Sequence, residues 1–249
     1  MVIYLSPHLD DAALSCGGLI WQQTQAGDDV EIWTLCAGDP PPGPLSPFAG
    51  ACHDRWKLGE TAVKVRREED RAAAAVLGAK VRHWKIPDCI YRRSAESGEI
   101  LYDSEEAIFG SVQPGDEDLV NWITSELAKM LPPGAMIICP MTLGNHVDHQ
   151  ITRAAAERLG IGLSYYADYP YAAIGDGEIE GLLPQGMKLE TTPISERGIR
   201  AWYESIACYQ SQISTFWLDS SAMKQEIEGY CRGAGGIRIW KNEQQMKAE

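Results

Sequence analysis

The sequence lacks the features that mark several large protein classes. No run of about eighteen apolar residues occurs, so no membrane-spanning helix is expected. The opening "MVIYLSPH" carries no basic segment ahead of an apolar one, and a secretory signal is not expected either. Positive charge is scarce: 22 Lys and Arg stand against 35 Asp and Glu, a formal net charge of −13. Phosphate backbones are held by clustered Lys and Arg, which argues against nucleic acid as a partner. The acidic residues are spread along the chain and read as a solvated surface. Seven cysteines, at 16, 36, 52, 89, 139, 208 and 231, form no C-x-x-C pair. Scattered and odd in number, they fit reduced thiols better than a disulfide framework or a structural zinc site. A cytoplasmic protein is expected, with room for a homo-oligomer.

Glycine-rich phosphate loops are missing too. The first strand-to-helix turn has only Gly17 and Gly18, too far into the helix for G-x-G-x-x-G, and no Walker A sequence follows; a dinucleotide cofactor is therefore not expected. There is no internal repeat.

What is present is an alternation of strands and helices. The segments 2–6 ("VIYLS"), 30–37, 81–86, 135–140 and 163–171 ("LSYYADYPY") read as strands. Helical patterns cover 11–25, 55–77, 116–131, the stretch from His146 to Gly160, 195–209 and 219–231, with an extended end near "IRIW". This order predicts an α/β, Rossmann-like fold, a mostly parallel sheet with helices on both faces. The length of 249 residues suits a single domain. Loop excursions near 38–54 and 88–114 are expected at its substrate side. In such sheets ligands sit beyond the carboxyl ends of the strands.

Two motifs lie there, "PHLDD" (7–11) and "GNHVDH" (144–149), each directly after a predicted strand. His8 and Asp11 are three apart, as are His146 and His149, and that spacing brings side chains together on a helical turn. Asp10 or Asp11 could equally serve as an N-cap. Two imidazoles and one carboxylate suit a hydrolytic metal centre. A carboxylate not bound to the metal could then take a proton from water. A further histidine could stabilise an oxyanion and protonate a leaving amine.

These residues resemble the PIG-L/LmbE-like family of zinc-dependent N-deacetylases, whose His-x-Asp-Asp and His-x-Asp-His motifs stand here as "PHLDD" and "HVDH". Leu9 and Val147 replace the proline common in both motifs. The resemblance implies that His8, Asp11 and His149 bind zinc, although a site of this composition also accepts iron, cobalt or manganese. It implies that Asp10 is the general base. His146 would be oxyanion donor and general acid, with Asp148 behind it favouring the imidazolium. Looser matches put Arg66 ("RREEDRAAAAVLG"), Asp88 ("IPD") and Tyr166 and Asp168 ("YYADYPY") at the substrate, and give "YQSQ" (209–212) a structural role. His53 reads as an ordinary loop residue. Trp33, Trp56 and Trp84 read either as core or as stacking faces for a sugar.

The expected function is hydrolytic removal of an N-acetyl or other small acyl group from an amino sugar or glycoconjugate. The alternatives are a catalytically silent sugar- or metal-binding module and an amidase acting on a thiol conjugate. A silent module would be expected to have lost its base or its acid, and Asp10 and His146 are both present.

Overall fold

The computed structural model describes residues 1–173 and 179–242. Its centre is the run Val2–Ser6 (β1), buried at every position, as a strand covered on both faces must be. Val30–Thr34 (β2), Lys80–His83 (β3), Met136–Pro140 (β4) and Leu163–Tyr166 (β5) lie parallel to it. Ile237–Asn242 (β7) runs antiparallel to β5, and Met187–Thr192 (β6) antiparallel to β7. The resulting order is β3-β2-β1-β4-β5-β7-β6. The chain turns to one side of β1 for β2 and to the other for β4. The carboxyl ends of β1 and β4 therefore form the topological switch point where such sheets bind ligands.

Ten α-helices accompany the described strands: Asp11–Ala26 (α1), Pro47–Trp56 (α2), Ala62–Leu77 (α3), Glu105–Ile108 (α4), Glu117–Met130 (α5), Val147–Glu157 (α6), Ile179–Leu182 (α7), Glu196–Ile206 (α8), Gln210–Phe216 (α9) and Ser220–Ala234 (α10). The period of two along β1 divides the core. Val2 and Tyr4 pack with α1, α3, α8 and α10, while Ile3 and Leu5 pack with α5 and α6. The mostly parallel sheet between two helical layers is the expected architecture.

Several expected elements differ in detail. The helix read over 55–77 is two helices. Ser46 accepts the Ala49 N–H at 3.0 Å and Pro47 follows it, so part of the proline-rich stretch starts a helix. That helix ends at Lys57, which takes a left-handed conformation at φ 58°. The strand read over 163–171 leaves the sheet after Tyr166, and β6 and α9 were not anticipated. No helix among the described residues is long and apolar enough to cross a membrane.

Gly17 and Gly18 have a packing role. A Cβ on Gly17 would lie 2.5 Å from a ring carbon of Trp202, which is fully buried. The Trp202 indole N–H is shared between the carbonyls of Ala13 and Leu14 at 2.9 and 3.0 Å, so the ring cannot swing aside. The glycines let α8 settle on α1. Gly17→Ala is expected to destabilise the protein by about 1–2 kcal/mol, since overpacking of about 1–3 kcal/mol outweighs the gain in helix propensity. Urea denaturation checks this through a lowered midpoint at unchanged slope.

Candidate active site

The turn after β1 is built by Ser6. Its hydroxyl donates to the His8 carbonyl at 2.7 Å and accepts the Ala12 N–H at 3.1 Å. Asp10, though at the N-cap position, makes no side-chain cap bond, so its carboxylate is left for other use. Asp11 Oδ2 accepts the His8 backbone N–H at 2.7 Å, which fixes the carboxylate beneath the His8 ring.

The turn after β4 is bent by three consecutive or near-consecutive left-handed residues, Thr142, Gly144 and Asn145, at φ 72°, 80° and 61°. Such conformations are uncommon outside glycine and cluster at functional turns. A Cβ on Gly144 would meet the Tyr171 ring at 2.6 Å. Asn145 Nδ2 donates to the carbonyls of Phe109 and Gly110 at 3.0 and 3.1 Å. The bend leaves His146 as the N-cap of α6, with its Nδ1 accepting the Asp148 backbone N–H at 3.2 Å.

The two motifs meet across the switch point. Asp11 Oδ2 lies 3.2 Å from His8 Nδ1 and 3.3 Å from His149 Nε2. The outer nitrogen of each ring is held by a buried carboxylate: His8 Nε2 lies 3.0 Å from Asp148 Oδ2, and His149 Nδ1 lies 2.6 Å from Asp168 Oδ1. An imidazole whose outer N–H donates to a carboxylate presents its lone pair inward, the usual support for a metal-binding histidine. His146 is built the other way. With Nδ1 accepting an N–H, its proton sits on Nε2, which makes it a donor. Ring nitrogens of all three histidines lie within 4.8 Å of one another, but only His8 and His149 present inward lone pairs. Together with Asp11 they fit a divalent cation.

The neighbouring charges differ sharply. Burial works against the Asp11 carboxylate, but His149 and His8 hold it well below its ordinary range. Burial pushes Asp10 up to about 6, against the pull of the Arg66 guanidinium, 3.5 Å away. Against the opposing effect of burial, Asp11 and Asp168 raise His149 to about 10, so a divalent ion would bind there by displacing the proton from Nε2. Burial and the nearby His8 lower His146 well below its usual value.

These groups open onto a cavity of about 180 Å³ lined by His8, Asp10, Asp11, Arg66, Asp88, His146 and His149. Of the residues expected at the substrate, Arg66 and Asp88 line it, joined by a 4.0 Å ion pair. Tyr166 does not: it is fully buried and its hydroxyl donates to the Leu5 carbonyl at 3.1 Å. Asp168 does not either. It is buried behind His149, and its second oxygen accepts the Leu143 N–H at 3.0 Å. The Asp148 carboxylate does not back His146; it lies against His8 and, at 2.5 Å, against Arg92. His53 is buried within α2, its ring nitrogens 2.6 Å from the Gly59 carbonyl and the Tyr91 hydroxyl. Trp33 and Trp84 are core, whereas Trp56 lines the cavity beneath the Arg66 guanidinium. "YQSQ" ties down α3: the Tyr209 hydroxyl donates to Asp70 at 2.6 Å and Ser211 to Glu69.

The family profile described as GlcNAc-PI de-N-acetylase, PIG-L, matches residues 3–159. The chain belongs to the PIG-L family. It is 27% identical over 190 residues to a 2'-N-acetylparomamine deacetylase of Niallia circulans, covering 68% of this chain and 66%, just under two thirds, of that protein. Among solved structures, the zinc-inhibited form of a teicoplanin deacetylase superposes with a TM-score of 0.83 at 28% identity, over 96% of both chains. An A40926 pseudoaglycone deacetylase does so with a TM-score of 0.75 at 30% identity, again over 96% of both. These three relatives are deacetylases.

Sequence reasoning missed Arg92. Its guanidinium is buried between Asp148 and Asp116, with Nε 2.8 Å from the latter. It sits in "YRRS", with no spacing to set it apart from Arg93. Phe109, Tyr171 and Gln212 also line the cavity unannounced. The carboxylates behind the histidines carry a direct prediction. Asp168→Asn keeps shape but weakens the grip on His149, and is expected to lower affinity for a divalent ion about 10–100-fold, read by competition with a chromophoric chelator.

Proposed function

We propose that this chain is a metal-dependent amidohydrolase that removes an N-acetyl group from an amino sugar or glycoconjugate. His8, Asp11 and His149 would hold the ion. Zinc is the first candidate, with iron, cobalt or manganese able to occupy a site of the same composition. The observation that carries this reading is the contrast between adjacent carboxylates. Asp11 is locked against two imidazoles, while Asp10 is uncapped, raised in pKa and faces the cavity.

Held by these residues, a divalent ion would supply Lewis acidity, lowering the pKa of a water towards neutrality and polarising the acyl carbonyl. Asp10 takes a proton from the attacking water at its carboxylate, a task suited to a base whose pKa has been lifted towards neutrality. Arg66, beside Asp10, keeps that pKa from rising further. As the amide carbon becomes tetrahedral, its oxygen accepts the His146 Nε2–H, a donor fixed in direction because Nδ1 is engaged by the Asp148 N–H. A neutral imidazole gives up its proton far less readily than an imidazolium. Return of a proton to the leaving amine therefore falls to Asp10, which has just received one, rather than to His146 as the resemblance implied. Asp148 and Asp168 act through the histidines they orient.

The first test measures amine release from a panel of N-acetylated sugars alongside metal content. Release is expected, abolished by a chelator and restored by a divalent ion. A protein that carries the metal but releases no amine from any member would overturn the reading. Asp10→Asn is expected to lower kcat about 10²–10⁴-fold while metal content is unchanged.

The pH profile offers a second check. Asp10 acts as a base only when ionised, so activity falls on the acid side as it gains a proton. Arg66→Met removes the charge that lowers its pKa. The acid limb of kcat/KM should then move to higher pH, and an unmoved limb would argue against Asp10 as the base.

A further inference from the structure

Two carbonyls just past α4, those of Phe109 and Gly110, are gripped from the start of α6. Asn145 Nδ2 donates to both, at 3.0 and 3.1 Å. Gln150 Nε2 donates to the Gly110 carbonyl at 2.8 Å and to the Asn145 carbonyl at 2.6 Å. Asn145 and Gln150 flank His146 in the chain, and their grip presents the Phe109 ring to the imidazole. The two ring centroids lie 5.4 Å apart at an interplanar angle of 85°, an edge-to-face contact.

Asn145 is exposed, with φ 61°, a conformation that asparagine tolerates better than most residues. Backbone need alone would account for an asparagine here, and glycine would meet that need better. Two features point to the side chain instead. Its amide bonds reach carbonyls 36 and 35 residues away in the chain, and Gln150 reinforces one of them independently. The reason for such a clamp lies in the imidazole. His146 Nδ1 accepts the Asp148 N–H at 3.2 Å, the long end of the usual range. Edge-on contacts from His8 and Phe109 restrain the ring further. His8 is itself held by Asp148, whereas Phe109 stands on a surface loop and depends on the clamp.

We infer that Asn145 is a positioning residue for His146: by fixing the Phe109 ring it keeps the imidazole Nε2–H aimed at the amide oxygen of the substrate. The inference rests on the deacetylase reading and deepens it by naming what orients the oxyanion donor. A donor fixed in advance needs no reorganisation as charge develops, and a donor turned away forfeits that gain. Such an effect falls on the transition state rather than on substrate binding, so kcat carries the loss and KM changes little.

Asn145→Gly keeps the left-handed backbone and deletes the clamp. With metal-loaded enzyme and methyl N-acetylglucosaminide, kcat is expected to fall about tenfold while KM changes less than about twofold. Asn145→Asp tolerates the same conformation but cannot donate, and should match it. In a His146→Ala background Asn145→Gly should cost nothing further, because effects that pass through one residue do not add. A second readout needs no turnover. The chain has five histidines, so ring-nitrogen spectra of zinc-loaded protein with isotope-labelled histidine can be assigned, that of His146 by its loss in His146→Ala. Asn145→Gly is expected to displace the His146 ring signals from their Nε2–H pattern and leave those of His53 and His83 in place. Wild-type kcat in Asn145→Gly, a raised KM at constant kcat, or a loss that persists without His146 would each overturn the inference, as would unmoved His146 signals. Wild-type protein that releases no amine from the sugar would instead count against the deacetylase reading, and the nitrogen spectra would then decide the clamp.

Discussion

Asp148 is a carboxylate with no exposure to water, and much of the site hangs from it. One oxygen meets the Arg92 guanidinium; the other faces His8 Nε2 and accepts the Cys89 N–H at 3.0 Å. A buried anion is tolerable only when it is paired and its lone pairs are filled. The pairing is extended by Asp116 on the far side of Arg92. The same residue's backbone N–H sets the direction of the His146 ring. One residue thus links the loop after β3, the end of β1 and the start of α6.

The remaining chemistry is a matter of neighbours. Asp10 and Asp11 are adjacent in sequence and both buried, yet their acidities are driven in opposite directions. Asp11 sits between two imidazoles that compensate its charge, whereas Asp10 has one guanidinium at longer range and a like charge beside it. Pairs of titratable groups pushed apart in this way are the usual basis for dividing roles between identical side chains. The same contrast separates the histidines. His8 and His149 donate outward to carboxylates, and His146 accepts from a backbone amide; hydrogen-bond direction alone leaves two of them with lone pairs turned inward and one with its N–H turned inward.

The alternating pattern of the chain was enough to specify the architecture. A nearly continuous apolar strand must be covered on both faces. Strands alternating with helices favour parallel pairing, as β1 to β5 show, whereas β6 and β7 pair antiparallel although helices separate them. The placement of "PHLDD" and "HVDH" after the first and fourth strands followed from the same reading, because period and length are local properties. The split of the 55–77 helix was less legible, since it turns on Lys57 adopting a left-handed conformation that its side chain does not favour. The edge strand β6 was illegible for a related reason: Lys188, Glu190, Thr191 and Thr192 give it little apolar patterning.

By itself the sequence determined the fold class and the family, and it identified the six motif residues around which the site is built. Tertiary structure decided what surrounds them. It turned Asp148 from His146 to His8, moved Asp168 from the substrate to the back of His149, buried Tyr166, and drew Arg92 between Asp148 and Asp116. The physical reason is that hydrogen-bond direction and burial depend on residues distant in the chain. Asp148 and Arg92 are separated by 56 positions, and no local spacing encodes which nitrogen of a ring a carboxylate will meet.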